Sequence, residues 1–79
     1  MSKLTAAQVR SMQDLTLRMQ NAAPSRQREI MVFSFEAIDN GLLVTGQADF
    51  DQVKSFDRPY LAIAYVGPRG GVRNHREFR

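Results

Sequence analysis

The chain has no cysteine and no tryptophan, and its one histidine is His75. Without cysteine there are no disulfides and no thiolate metal sites, and one histidine cannot build a multi-histidine site. Neither a metal nor a cofactor is therefore expected. Catalysis has little to work with. A nucleophile needs a base within reach and a third group to orient it, and only His75 titrates near neutrality. Neither a Gly-x-Ser-x-Gly nor a His-Glu-x-x-His pattern occurs. The chain is expected not to be an enzyme. It also lacks any apolar run long enough to span a bilayer or to act as a signal peptide, so a soluble, cytoplasmic protein is expected. Its 79 residues suit one domain. A core of that size gives only about 3–5 kcal/mol of net stability, so tight packing or self-association has to supply the rest.

The charge is unevenly placed. Residues 1–66 balance seven Lys and Arg against seven Asp and Glu. Residues 67–79 carry Arg69, Arg73, Arg76 and Arg79 against Glu77, which accounts for the whole formal charge of +3. Arginine outnumbers lysine nine to two, and its planar fork of donors suits phosphate, carboxylate and stacking.

The first element reads as an amphipathic helix. Thr5 and Gln8 have the spacing of a capping box, with Leu4 and Val9 placed for a hydrophobic staple. Val9, Met12, Leu15, Thr16, Met19 and Ala22 gather on one side at about 100° per residue. Ala23-Pro24 ends the pattern, because a residue before proline is pushed out of the helical region. Leu17 falls off the stripe, either as an ordinary exposed leucine or as a contact for a partner.

After a polar connector, Ile30 to Ile38 reads as a strand. Asn40-Gly41 is a strong hairpin signal, and the second strand runs from Leu42 to about Ala48. A two-residue Asn40-Gly41 turn would pair Ala37 with Val44, Phe35 with Gly46 and Phe33 with Ala48. Met31, Phe33, Phe35, Ala37, Val44, Gly46 and Ala48 then form an apolar face, with Phe33 and Phe35 buried under the helix. Val32, Ser34, Glu36, Ile38, Leu43, Thr45, Gln47 and Asp49 form a mixed one. Residues 49–58 read as a short helical turn capped by Asp49 or Asp51, with Phe50, Val53 and Phe56 beneath it. These aspartates also suit a hard cation, but capping explains them without one. Tyr60 to Val66 is a third strand, apolar on both faces. Gly67-Pro68-Arg69-Gly70-Gly71 follows a strand as a phosphate-binding loop would, but lacks the Gly-Lys-Ser/Thr ending. From Val72 the chain is either a weak fourth strand or a mobile tail. The expected fold is α+β. An N-terminal helix packs on an antiparallel sheet of three strands, or four, with a short helical turn before the third. Residues 1–66 form the domain and residues 67–79 the basic segment.

Two candidate binding surfaces emerge. One is the basic segment: Arg69, Arg73, His75, Arg76 and Arg79 for phosphates or other anions, with Phe78 to stack on a base. The other is an open sheet face, for which Val32, Ile38 and Leu43, together with Leu17, are the candidate protein contacts. One helix covers only one face of a sheet, and the helical turn, the tail, a second copy or a different protein would have to cover the other. The leading expectation is a small binding or regulatory module that docks on a larger nucleic acid-handling or nucleoprotein machine, the tail contributing. Phage-made inhibitors have this general size, an analogy from size alone. The alternative is a protein–protein or homodimer module that uses the open face, with an inert tail.

Overall fold

The structure, a computed structural model, describes residues 3–78; Arg79 lies outside the described residues. Helix α1 spans Ala6–Ala22. Its start is the expected capping box: Thr5 Oγ1 accepts the Gln8 N–H at 3.1 Å, and Gln8 Oε1 accepts the Thr5 N–H at 3.0 Å. Ala23, before Pro24, is already extended. Leu15 and Met19 are fully buried, with Met12 and Ala22 packed at the margin of the core, so the apolar stripe faces the sheet as its spacing requires.

The sheet has four antiparallel strands in the order β1-β2-β3-β4: Met31–Ile38, Gly41–Ala48, Leu61–Val66 and Val72–Phe78. Val72–Phe78 of the basic segment is therefore the fourth strand; it widens the sheet in its own plane and does not fold across it. Helix α1 lies over β2 and β3. There the sheet offers Val44 and Gly46 from β2 and Ala62 and Ala64 from β3, small enough for Leu15 and Met19 to descend onto the backbone.

The hairpin register differs from the expected one by two residues. Phe35 pairs with Val44 and Phe33 with Gly46, and the turn residues are Asp39 and Asn40. Asp39 takes the positive φ, at 49°. A two-residue slip preserves the alternation of faces, so the division into an apolar and a mixed face survives. The reason for the slip lies across the sheet. A Cβ on Gly41 would sit 2.2 Å from the Tyr65 hydroxyl oxygen. Gly41 thus serves as the strand residue over which the Tyr65 ring lies, and the turn moves back by one residue. In the same way Phe33, not Phe35, covers the bare backbone of Gly46. Phe35 does not reach the core: it stays 43% exposed, because β1 lies beyond the footprint of the helix.

Two buried glutamines hold the ends of the sheet. Gln8, 4% exposed, donates through Nε2 to the carbonyls of Gly67 and Asn40 at 3.3 and 3.4 Å. It joins the helix start to both the β1–β2 and the β3–β4 turns. Gln27, in the 3₁₀ turn Ser25–Ile30, accepts the Tyr60 N–H at 2.8 Å and donates to the Arg58 carbonyl at 2.9 Å. The connector to β3 begins as expected, with Asp49 capping the 3₁₀ turn Phe50–Gln52. Its aromatics do not lie underneath. Phe50 and Phe56 are 74% and 73% exposed, since a single three-residue turn is too short to build a buried face. Phe56 packs against cations, with Arg26 and Lys54 at 5.7 and 5.9 Å from its ring centre.

The uneven helix cover has a measurable consequence. Leu15→Ala should cost about 2–5 kcal/mol in urea unfolding, as expected for a fully enclosed side chain. Phe35→Ala should cost about 1 kcal/mol, because much of its ring never leaves water. Equal losses would place Phe35 in the core and contradict the position of α1.

Candidate functional site

The face of the sheet opposite α1 carries no covering element among the described residues. Alternation along the paired strands settles what it displays. Strand β1 contributes Val32, Ser34, Glu36 and Ile38, and β2 contributes Gly41, Leu43, Thr45 and Gln47. Strand β3 adds Leu61, Ile63 and Tyr65. On β4, Phe78 is paired with Leu61, Arg76 with Ile63 and Arg73 with Tyr65. Ile38, Leu43, Ile63, Tyr65, Asn74 and Arg76 line a shallow groove of about 450 Å³ along this face.

Two sets of residues that the sequence kept apart are thus one surface. Ile38 and Leu43 are half-buried in the groove, and Val32 is 53% exposed at its β1 margin. Arg73, Arg76 and Phe78 border it from β4, where every side chain is exposed. Arg69, in the β3–β4 turn, shares a small surface hollow with Arg73. Two expected members fall elsewhere. Strand alternation turns His75 away from Arg76, to the helix side of β4. Leu17 is exposed on α1, away from the sheet and on the other side of the molecule from Ile38 and Leu43. Tyr65, Ile63 and Leu61 were absent from both sets. Their signal was the two-sided apolar pattern of β3, which marks a strand with an apolar residue to show on each face.

The electrostatics of the face follow from which acids it excludes. Glu77 pairs with Ala62 and so points to the helix side, where its carboxylate accepts the hydroxyl proton of the buried Tyr60. Of the two strand carboxylates, only Glu36 on β1 shares the open face. The β3–β4 side is therefore cationic and aromatic, and the β1–β2 side mixes apolar and neutral polar side chains with one acid. A bulge sharpens this arrangement: the β3–β4 register shifts between Ile63 and Tyr65, with Asn74 at φ 55°. Such a bulge re-aims side chains and twists the strand. Both arginines stay on one face in spite of their odd spacing, since the extra residue restores the alternation.

Among the described residues no group of three or more His, Asp or Glu side chains could hold a metal ion, and no helix is long and apolar enough to cross a membrane. Comparison with protein-family models, with curated proteins and with solved structures found no match for this chain.

The Tyr65 ring depends on Gly41. Gly41→Ala should force the ring off the β2 backbone, seen as large chemical-shift changes for the Tyr65 ring and Leu43 methyls, with a stability loss of about 1–3 kcal/mol from overpacking. Unchanged Tyr65 signals would mean that the ring does not lie there.

Proposed function

We propose that this chain is a non-enzymatic module that binds single-stranded nucleic acid on the open face of its sheet, as a small component or regulator of a larger nucleoprotein machine. The observation that carries this reading is the pairing of β4 with β3. It sets Arg73, Arg76 and Phe78 beside Tyr65, Ile63 and Leu61 on the one face that the helix leaves bare. Aromatic rings on such a face hold unstacked bases, each worth roughly 1–3 kcal/mol, while arginines beside them neutralise phosphates. Single strands suit the surface better than duplex. Four strands at about 4.8 Å spacing are about 14 Å wide, too broad for a major groove of about 12 Å.

A protein partner on the same face is the second reading, favoured by the apolar groove of Ile38, Leu43 and Ile63. Salt separates the two. With Arg69, Arg73 and Arg76 each contacting a phosphate, the slope of log K against log salt should be about −2 for single strands, taking roughly −0.7 per contact. Affinity for a labelled oligo(dT) should then fall roughly twentyfold between about 50 and 200 mM salt. Arg73→Glu with Arg76→Glu should abolish binding, and Tyr65→Ala should weaken it at least fivefold. No measurable binding at low salt overturns the nucleic-acid reading, and so does a flat slope. A salt-insensitive protein complex that is lost on Leu43→Asp would establish the second reading.

A further inference from the structure

The two edges of the sheet are treated differently. Exposed strand edges pair with other chains unless they are bulged, charged, shortened or covered. Strand β4 has such protection: a bulge at Asn74, with Arg73 and Arg76 beside it. Strand β1 has little of it. Its eight residues, Met31–Ile38, pair with β2 without a register shift. They include no proline, lysine or arginine, and Glu36 is the only charge. Val32 and Phe35 are both exposed along it.

The backbone of β1 also has a definite polarity toward its free edge. The Asp49 N–H donates to the Ile30 carbonyl at 2.8 Å, and these residues stand opposite each other in the β1–β2 register. Antiparallel ladders alternate between hydrogen-bonded and non-hydrogen-bonded pairs. Val32, Ser34, Glu36 and Ile38 therefore bond inward to β2. The N–H and C=O groups of Met31, Phe33, Phe35 and Ala37 point outward.

We infer that the chain forms a homodimer by antiparallel pairing of β1 with β1 of a second copy, on a two-fold axis through Ser34. This register matches Met31 with Ala37 and Phe33 with Phe35 of the second copy. All four outward-pointing residues of each strand are then paired, which neighbouring registers do not achieve. It also sets Glu36 opposite the second copy's Val32 and so avoids a like-charge contact. The half-exposed ring of Phe35 gains the second copy's Phe33 as its cross-strand neighbour, a favourable aromatic pair. The helices do not obstruct this. Each lies over β2 and β3, so the two axes stand about 19 Å apart at about 4.8 Å per strand. With helices about 10 Å across, a channel roughly 9 Å wide remains over the junction; the Phe35 ring of each copy enters it, flanked by the Phe33 rings that lie over Gly46. The dimer is a continuous eight-stranded sheet whose two open faces become one surface, with an arginine-bearing β4 at each outer edge.

The test uses nuclease-treated protein, so that bound nucleic acid cannot bring copies together. Sedimentation equilibrium over a concentration series should give twice the 9.0 kDa chain mass. Phe35→Lys should shift the dissociation constant at least tenfold toward monomer. Val32→Lys should retain or tighten the dimer by facing Glu36 of the second copy. Because the chain has no cysteine, Ser34→Cys introduces a single thiol. Opposed residues of a non-hydrogen-bonded pair lie about 4.5 Å apart at Cα, within disulfide range. Ser34→Cys should therefore cross-link completely under mild oxidation, at least tenfold faster than Glu36→Cys. Any of three results overturns the inference: a monomer throughout the series, cross-linking that does not distinguish Ser34→Cys from Glu36→Cys, or a dimer broken by Leu43→Asp but indifferent to Phe35→Lys. The last would mean that the copies meet through their open faces.

Discussion

A single helix about 10 Å across lies on a sheet about 14 Å wide, and the rest of the molecule follows from that mismatch. The helix seats itself where the sheet is lowest, over Gly46, Ala62 and Ala64. Leu15 and Met19 reach the backbone there and close the core. Much of both outer strands and of the opposite face is left without a covering element. The partly exposed phenylalanine on β1, the bare groove of Ile38, Leu43 and Ile63, and the fully exposed side chains of β4 are consequences of one helix having to serve four strands.

With so small a core, much of the order at its ends comes from polar side chains. A buried amide side chain costs stability unless its hydrogen bonds are made. Gln8 and Gln27 make theirs to backbone groups of distant segments. Gln8 ties together three chain segments that meet at one end of the sheet, and Gln27 positions the entry to β3 at the other. Tyr60 and Glu77 add a link between the buried start of β3 and the end of β4. The same register that makes this link possible also points the acid of the basic segment away from the open face.

The capping box, the helix stop at Pro24, the strand positions and the separation of apolar from mixed faces were all legible in the residues. Each depends on a local rule: a side chain bonding a nearby backbone group, a ring that forbids a helical φ, or an alternation of period two. The exact register of the hairpin was not legible. Asn40-Gly41 is a turn signal on its own, but Tyr65, more than twenty residues later in the chain, needs Gly41 as a flat place to lie. The exposure of Phe50 and Phe56 was missed for a related reason: helical spacing over seven residues says nothing when only three of them form a turn.

The sequence by itself determined the helix, the first three strands, their order and the concentration of positive charge in the last segment, because these depend on patterns within a few residues. Only the tertiary structure decided that this segment is a strand and on which side its arginines stand. That depends on pairing with β3 and on a one-residue bulge at Asn74, since adding or removing one residue in a strand sends every later side chain to the other face. The meeting of Arg73, Arg76 and Phe78 with Tyr65, Ile38 and Leu43 is a property of the assembled sheet, in which residues from four strands come to share one surface.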